Sequence, residues 1–232
     1  MTLPDHCFVK CAVCGEESFQ TGLASSNEFG SPDLDTRPPE MYRSTMNMWL
    51  QRCPRCNYVA EDLNDSIGVP TFSQEWLNGE AYLSFGKHKP NSELLETFFL
   101  KVRISRYLAD WKTAFWDSIH AAWVADDPAQ YENEECEICY IDEGDTYWSF
   151  QARLYALDMF DNIPVDEIEE TWKVVRADLL RKSSQFDRLI AEYTNLQFSD
   201  EILNQIVSFQ IERAKLRDTK TYTIAEAISD YQ

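Results

Sequence analysis

Two CxxC pairs constrain this chain more than any other feature. They are Cys11-Ala12-Val13-Cys14 and Cys53-Pro54-Arg55-Cys56, separated by 38 residues. A two-residue gap lets both sulfurs of a pair turn toward one point, and two such pairs supply the four thiolates that a tetrahedral zinc ion takes. The residue after each pair is Gly15 in one case and Asn57 in the other. Glycine adopts a left-handed backbone freely and asparagine tolerates it, so both allow a backbone N–H to face sulfur. Pro54 stiffens the second turn. The long separation is acceptable because loop-closure entropy grows slowly with length. The reading is one structural zinc ion held by Cys11, Cys14, Cys53 and Cys56. Lys10, Arg52 and Arg55 lie beside the ligands and are expected to offset the charge of four thiolates. Four protein ligands leave no open position, so no catalytic role is expected of the metal.

The surrounding chain bounds what such a centre can serve. Residues 1–7 show no basic start followed by an apolar run, and no apolar stretch approaches the ~20 residues of a membrane span. A cytoplasmic protein with reduced cysteines is the expectation, in which CxxC pairs point to metal or redox chemistry. The net charge is −19. Residues 1–70 carry 5 basic and 10 acidic side chains, and the rest 16 and 30. Such a body repels nucleic-acid phosphates and anionic membranes.

Hydrophobic periodicity divides the chain into residues 1–70, a zinc-ribbon domain, and residues 71–232, a helical domain. In the first, Phe19-Gln20-Thr21, Met48-Trp49-Leu50-Gln51 and Tyr58-Val59-Ala60 read as strands. Between them, residues 29–39 form a proline-marked loop, long enough to be partner-facing. In the second, apolar residues recur at helical spacing from Leu94 to Leu108, from Trp111 to Trp123 and from Tyr147 to Phe160. Asp166 with Glu169 reads as a capping box that opens a further helix. Phe186 to Tyr193, Ile202 to Val207 and a short helix from Thr223 follow. Few glycines and many aromatics agree with a mainly helical chain.

Other constellations are weaker. Cys136-Glu137-Ile138-Cys139 sits in an acidic run, which disfavours the lowered thiol pKa of a redox pair. It reads first as ordinary core or surface cysteines, with a second metal site or a redox pair as alternatives. Cys7 is a less well spaced substitute ligand. His120 reads as a hydrogen-bonded core histidine and His88 as an exposed loop residue. No phosphate loop, nucleophile elbow or HExxH helix is present, and no catalytic residue is assigned.

The run from Gly30-Ser31-Pro32-Asp33-Leu34-Asp35 through Thr36-Arg37-Pro38-Pro39-Glu40, with Trp49-Leu50-Gln51-Arg52-Cys53-Pro54 and the Lys182-to-Tyr193 turn, resembles an uncharacterised group of bacterial proteins. These have an N-terminal zinc ribbon and a tetratricopeptide-like helical tail. The resemblance implies a bacterial cytoplasmic protein with four Cys ligands and an antiparallel array of helical hairpins, and it brings no activity. The resulting expectation is a zinc-binding, non-enzymatic adaptor with a protein or peptide partner, for which Arg37, Pro38, Pro39 and Arg43 are candidate contacts. Two alternatives stand beside it. One is nucleic-acid association through Lys10, Arg37, Arg43, Arg52 and Arg55. The other is a metal-dependent hydrolase built on clustered carboxylates.

Overall fold

The first knuckle turns the chain back on itself. In the computed structural model, which describes residues 2–65, 73–87, 89–90, 92–127 and 143–229, β1 (Leu3–Lys10) pairs antiparallel with β2 (Glu17–Ser25). Lys10 lies opposite Glu17 and Phe8 opposite Phe19, so residues 11–16 are the tip of a hairpin. The second knuckle is built alike. β3 (Gln51–Arg52) pairs with β4 (Val59–Ala60), and residues 53–58 are its tip.

The expected strand over 48–51 is only half present. Residues Tyr42–Met48 form a 3-10 helix, and pairing begins at Gln51. Side chains explain this. Trp49 Nε1 donates to Thr45 Oγ1 at 2.8 Å, and Thr45 Oγ1 donates to the Tyr42 carbonyl at 2.7 Å. These bonds favour tight winding over extension.

The loop over 29–39 faces inward. Asp33, Leu34, Asp35 and Arg37 are all buried. The loop is clipped to the far end of the chain: Leu34 N donates to the Tyr222 carbonyl and Ile224 N to the Pro32 carbonyl, each at 2.9 Å. Ala225 N also donates to Ser31 Oγ at 3.0 Å. Its charges meet partners, Arg43 of the following 3-10 helix to Asp33 at 2.7 Å and the distant Asp127 to Arg37 at 3.5 Å. Arg37 is therefore not available as a surface contact.

Two short helices, α1 (Gln74–Leu77) and α2 (Glu80–Leu83), precede α3 (Glu93–Tyr107). Ser92 caps α3 by accepting from Leu95 N at 3.1 Å. α4 (Trp111–Ala125) packs on both α3 and α5 (Glu143–Asp161). The expected capping box at Asp166 does not form. Residues Val165–Glu167 close a 3-10 turn instead, and α6 (Glu170–Lys182) starts after Glu169 with no side-chain cap. α7 (Phe186–Tyr193), α8 (Glu201–Lys215) and α9 (Ile224–Ser229) complete the described helices. A capping box does form at α9. Thr223 N donates to Glu226 Oε2 at 2.7 Å, and Glu226 N to Thr223 Oγ1 at 3.2 Å.

α3 belongs to two cores. Leu95, Phe98, Phe99 and Val102 enter the large core with Phe115, Ile119, Ala152, Met159 and Leu179. Leu100 and Ile104 enter a smaller core with Val9, Val59, Leu63, Leu77, Tyr82 and three of the cluster cysteines. In the large core, Arg181 is fully buried with its donors matched. It reaches Gln210 Oε1 at 3.0 Å, the carbonyls of Asp218 and Lys220 at 3.0 and 2.7 Å, and Asp178 Oδ1 at 2.5 Å.

Candidate metal centre

The two hairpin tips bring four sulfurs together. Cys11, Cys14, Cys53 and Cys56 each offer a sulfur within 4.8 Å of every other, and the cluster could hold a metal ion. Cys11 Sγ lies 3.8 Å from Cys56 Sγ, and Cys14 Sγ lies 3.6 Å from Cys53 Sγ. Neither contact is a disulfide, whose sulfurs sit about 2.05 Å apart. A tetrahedral ion with metal–sulfur bonds of about 2.3 Å has sulfur–sulfur edges of about 3.8 Å, which both contacts match.

The knuckles are near copies in their backbone. Gly15 N donates to the Cys11 carbonyl at 2.8 Å, and Asn57 N to the Cys53 carbonyl at 3.0 Å. Cys11 N donates to the Glu16 carbonyl at 2.8 Å, and Cys53 N to the Tyr58 carbonyl at 2.9 Å. Gly15 has φ of 74° and Asn57 of 60°, the left-handed backbone that the sequence implied. This turn places an N–H on sulfur two residues past each pair. Glu16 N–H reaches Cys14, and Tyr58 N–H reaches Cys56.

Three of the four cysteines are buried, and Cys14 is half-buried. Burial pushes the thiols of Cys53 and Cys56 above their ordinary value. Cys14 differs. Burial acts upward on it too, but the Glu16 N–H and the neighbouring sulfurs bring its thiol below the ordinary value. Four clustered thiolates, three of them buried, are costly unless a cation joins them, so the donor set suits a thiophilic divalent ion.

The flanking basic residues are engaged elsewhere. Arg52 donates to Glu96 Oε1 at 2.9 Å and to Asn57 Oδ1 at 3.0 Å, and Arg55 pairs with Glu16 at 3.6 Å. With Arg37 and Arg43 also paired, four of the five basic residues of this region meet carboxylates. Lys10 remains near the first knuckle, where a Cβ on Gly15 would touch its Cε at 3.8 Å.

Helices buttress the second knuckle, which spacing alone did not reveal. Tyr82 is fully buried and its hydroxyl donates to the Asn57 carbonyl at 2.9 Å. Asn57 Nδ2 donates to Asn78 Oδ1 at 3.1 Å. Arg103 on α3 in turn donates to the carbonyls of Tyr82 and Ser84, at 2.8 Å for Ser84.

The remaining candidates fall apart from the cluster. Cys7 is exposed. Cys136, Cys139 and His88 lie outside the described residues. His120 is not hydrogen-bonded among the described residues. Its ring packs against Trp123 at 4.8 Å and Trp49 at 5.3 Å between centroids. Burial raises two described carboxylates, Asp33 and Asp117, and both are held: Asp33 by Arg43 at 2.7 Å, and Asp117 by Lys101 at 3.1 Å and Ser105 at 2.5 Å.

No protein-family model, curated protein or solved structure matches this chain. The resemblance to the ribbon-and-helical-tail group therefore rests on the quoted residues. What stands is a four-cysteine cluster near the N-terminus and a mainly helical remainder, with no described helix long and apolar enough to cross a membrane.

Proposed function

We propose that this chain is a zinc-binding, non-enzymatic interaction protein. One structural Zn²⁺ on Cys11, Cys14, Cys53 and Cys56 would fix the β1–β2 hairpin, which presents the contact surface. The observation that carries the reading is the outer face of that hairpin. Phe8 and Phe19 stand directly opposite each other, 79% and 59% exposed, with ring centroids 5.5 Å apart. His6 stacks on Phe19 at 5.8 Å. A bare aromatic pair on a two-stranded hairpin is a cost in a monomer, and interfaces are enriched in such side chains. The helices from α6 onward are read as a tetratricopeptide-like array, supported by the short turn before Phe186 and by Tyr193 folding back to the Lys173 carbonyl at 2.8 Å.

Metal analysis of the purified protein, with affinity capture by wild type and by the Phe8→Ser/Phe19→Ser variant, tests this reading. One zinc per chain and a nuclease-resistant protein partner lost in the variant support it. A metal-free protein, or a partner indifferent to both phenylalanines, sinks it.

A further inference from the structure

The hairpin has a second face. Behind Phe8 and Phe19, Val9 and Gly22 form one wall of a cavity of about 810 Å³ that reaches to α3 and α4. Its floor is aromatic. Trp49 lies 5.0 Å from Tyr42 and 6.4 Å from Trp123 between ring centroids, with His120 beside both tryptophans. Its rim is anionic. Asp5, Glu28, Glu61 and Asp62 line it, and no Lys or Arg does so among the described residues. All four rim carboxylates are exposed and none forms an ion pair among the described residues.

Two further observations separate this cavity from an ordinary acidic patch. Trp123 lines it and is only 3% exposed, yet its Nε1–H meets no acceptor among the described residues. Buried donors are normally matched, and an acceptor on a bound group would match this one. The deep carboxylate, Asp117, already holds Lys101, which leaves the rim as the uncompensated charge. The groups also sense one another. Burial, then Glu28 and Glu61, raise the Tyr42 hydroxyl, and Glu61 adds to the burial that raises Asp117. Burial and Lys101 lower His120 to about 4, so it brings no positive charge at neutral pH.

We propose that this cavity binds an alkylammonium group, supplied by a lysine side chain of a peptide or by a free aliphatic diamine. The aromatic floor suits the apolar stem and the cation together. The unpaired rim carboxylates attract and retain the charge. A peptide adds a carbonyl that would accept from Trp123 Nε1, which favours the lysine source. The site is independent of the Phe8–Phe19 face, so either reading can fail without the other.

The test uses the full metal-loaded chain and its tryptophan fluorescence. The probes are a short capped peptide with one lysine, its Nε-acetylated twin and 1,5-diaminopentane. Saturable binding of the lysine peptide is expected, at least tenfold weaker for the acetylated twin. Glu61→Gln should weaken it about fivefold and Glu28→Gln/Glu61→Gln more than tenfold, while Phe8→Ser/Phe19→Ser leaves it unchanged. Circular dichroism of these surface variants should match wild type. Tighter binding of the peptide than of the diamine assigns the lysine source, and equal or tighter diamine binding assigns the free amine. No saturable response to either up to 10 mM, or a response indifferent to acetylation or to the glutamate substitutions, overturns the proposal.

Discussion

Replacing Lys182 with methionine should be one of the most damaging conservative-volume changes in this protein. Lys182 Nζ sits 3.2 Å from Asp35 Oδ2 and 3.8 Å from Asp126 Oδ2, with Lys182 and Asp35 side chains 7% and 2% exposed. Asp35 comes from the N-terminal loop, Asp126 from the end of α4 and Lys182 from the end of α6. Arg153 on α5 donates to Asp126 as well. Burial alone would raise the Asp35 carboxyl, but Lys182 and Arg153 hold it below its ordinary range. The Lys182→Met change leaves the buried Asp35 and the half-buried Asp126 with one guanidinium, that of Arg153, which donates to Asp126. Removing one partner of a buried pair costs about 3–5 kcal/mol. In a chain of this size each kcal/mol moves the midpoint by about 2–4 °C, so Tm should fall by roughly 6–20 °C. The assay is urea unfolding of zinc-loaded protein by tryptophan fluorescence, with thermal melts by circular dichroism. The Lys182→Met/Asp35→Asn double variant should recover about half the loss, because the orphaned charge is gone. A loss below about 1 kcal/mol for Lys182→Met, or a double variant whose loss equals the sum of the singles, refutes the reasoning.

Other outcomes follow from the same geometry. Native mass spectrometry of the wild type should show one bound zinc, and Cys53→Ser or a strong chelator should abolish it. Amide exchange at Ala12 and Asn57 should then accelerate, since metal binding and local folding share one free energy. Tyr82→Phe removes the hydroxyl bond to the Asn57 carbonyl and should cost about 1–2 kcal/mol, with faster zinc loss to a chromophoric chelator. Asp126 is held at about 2, because Arg153 and Lys182 outweigh the opposing effect of burial. Its folded pKa lies below the unfolded value near 4. The stabilisation of about 2–3 kcal/mol is therefore present above about pH 4 and lost as pH falls through 2, measured as urea midpoints over that range. His120 is lowered to about 4 from an unfolded value near 6.5. Stability should be full above pH 6.5 and fall by about 2–3 kcal/mol on reaching pH 4, and His120→Gln should remove that slope.

The parts legible in sequence were those fixed by local chemistry. The cysteine spacing, with Gly15 and Asn57 behind it, encodes two matching turns whatever the rest of the chain does. The helix from Thr223 was legible because Glu226 satisfies its cap within one turn. The strand that leads into the first CxxC pair was not legible. Pro4-Asp5-His6 gives no alternation, and Leu3–Lys10 is extended because β2 pairs with it. Residues 31–37 have a loop's composition, yet Asp33, Leu34, Asp35 and Arg37 are buried because Arg43 nearby, and Asp127 and Lys182 from afar, meet their charges. Arg52 and Arg55 are adjacent to the ligands in sequence, but Glu96 and Glu16 take them. The cavity draws its walls from both strands of the first hairpin, the 42–51 segment, residues 61–62, α3 and α4. No window of sequence contains it.

The clip between the N-terminal loop and the segment before α9 also sets an order of events during synthesis. Ser31 and its partner Ala225 are 194 positions apart. At roughly 5–20 residues per second, their meeting waits about 10–40 s on the ribosome. Both CxxC pairs emerge early in that interval and can capture a metal while Leu34, Asp35 and Arg37 are still bathed in water. A nascent chain arrested before Tyr222 would thus carry a finished metal centre and an unfastened loop, a form that proteases and chaperones would meet before any partner does.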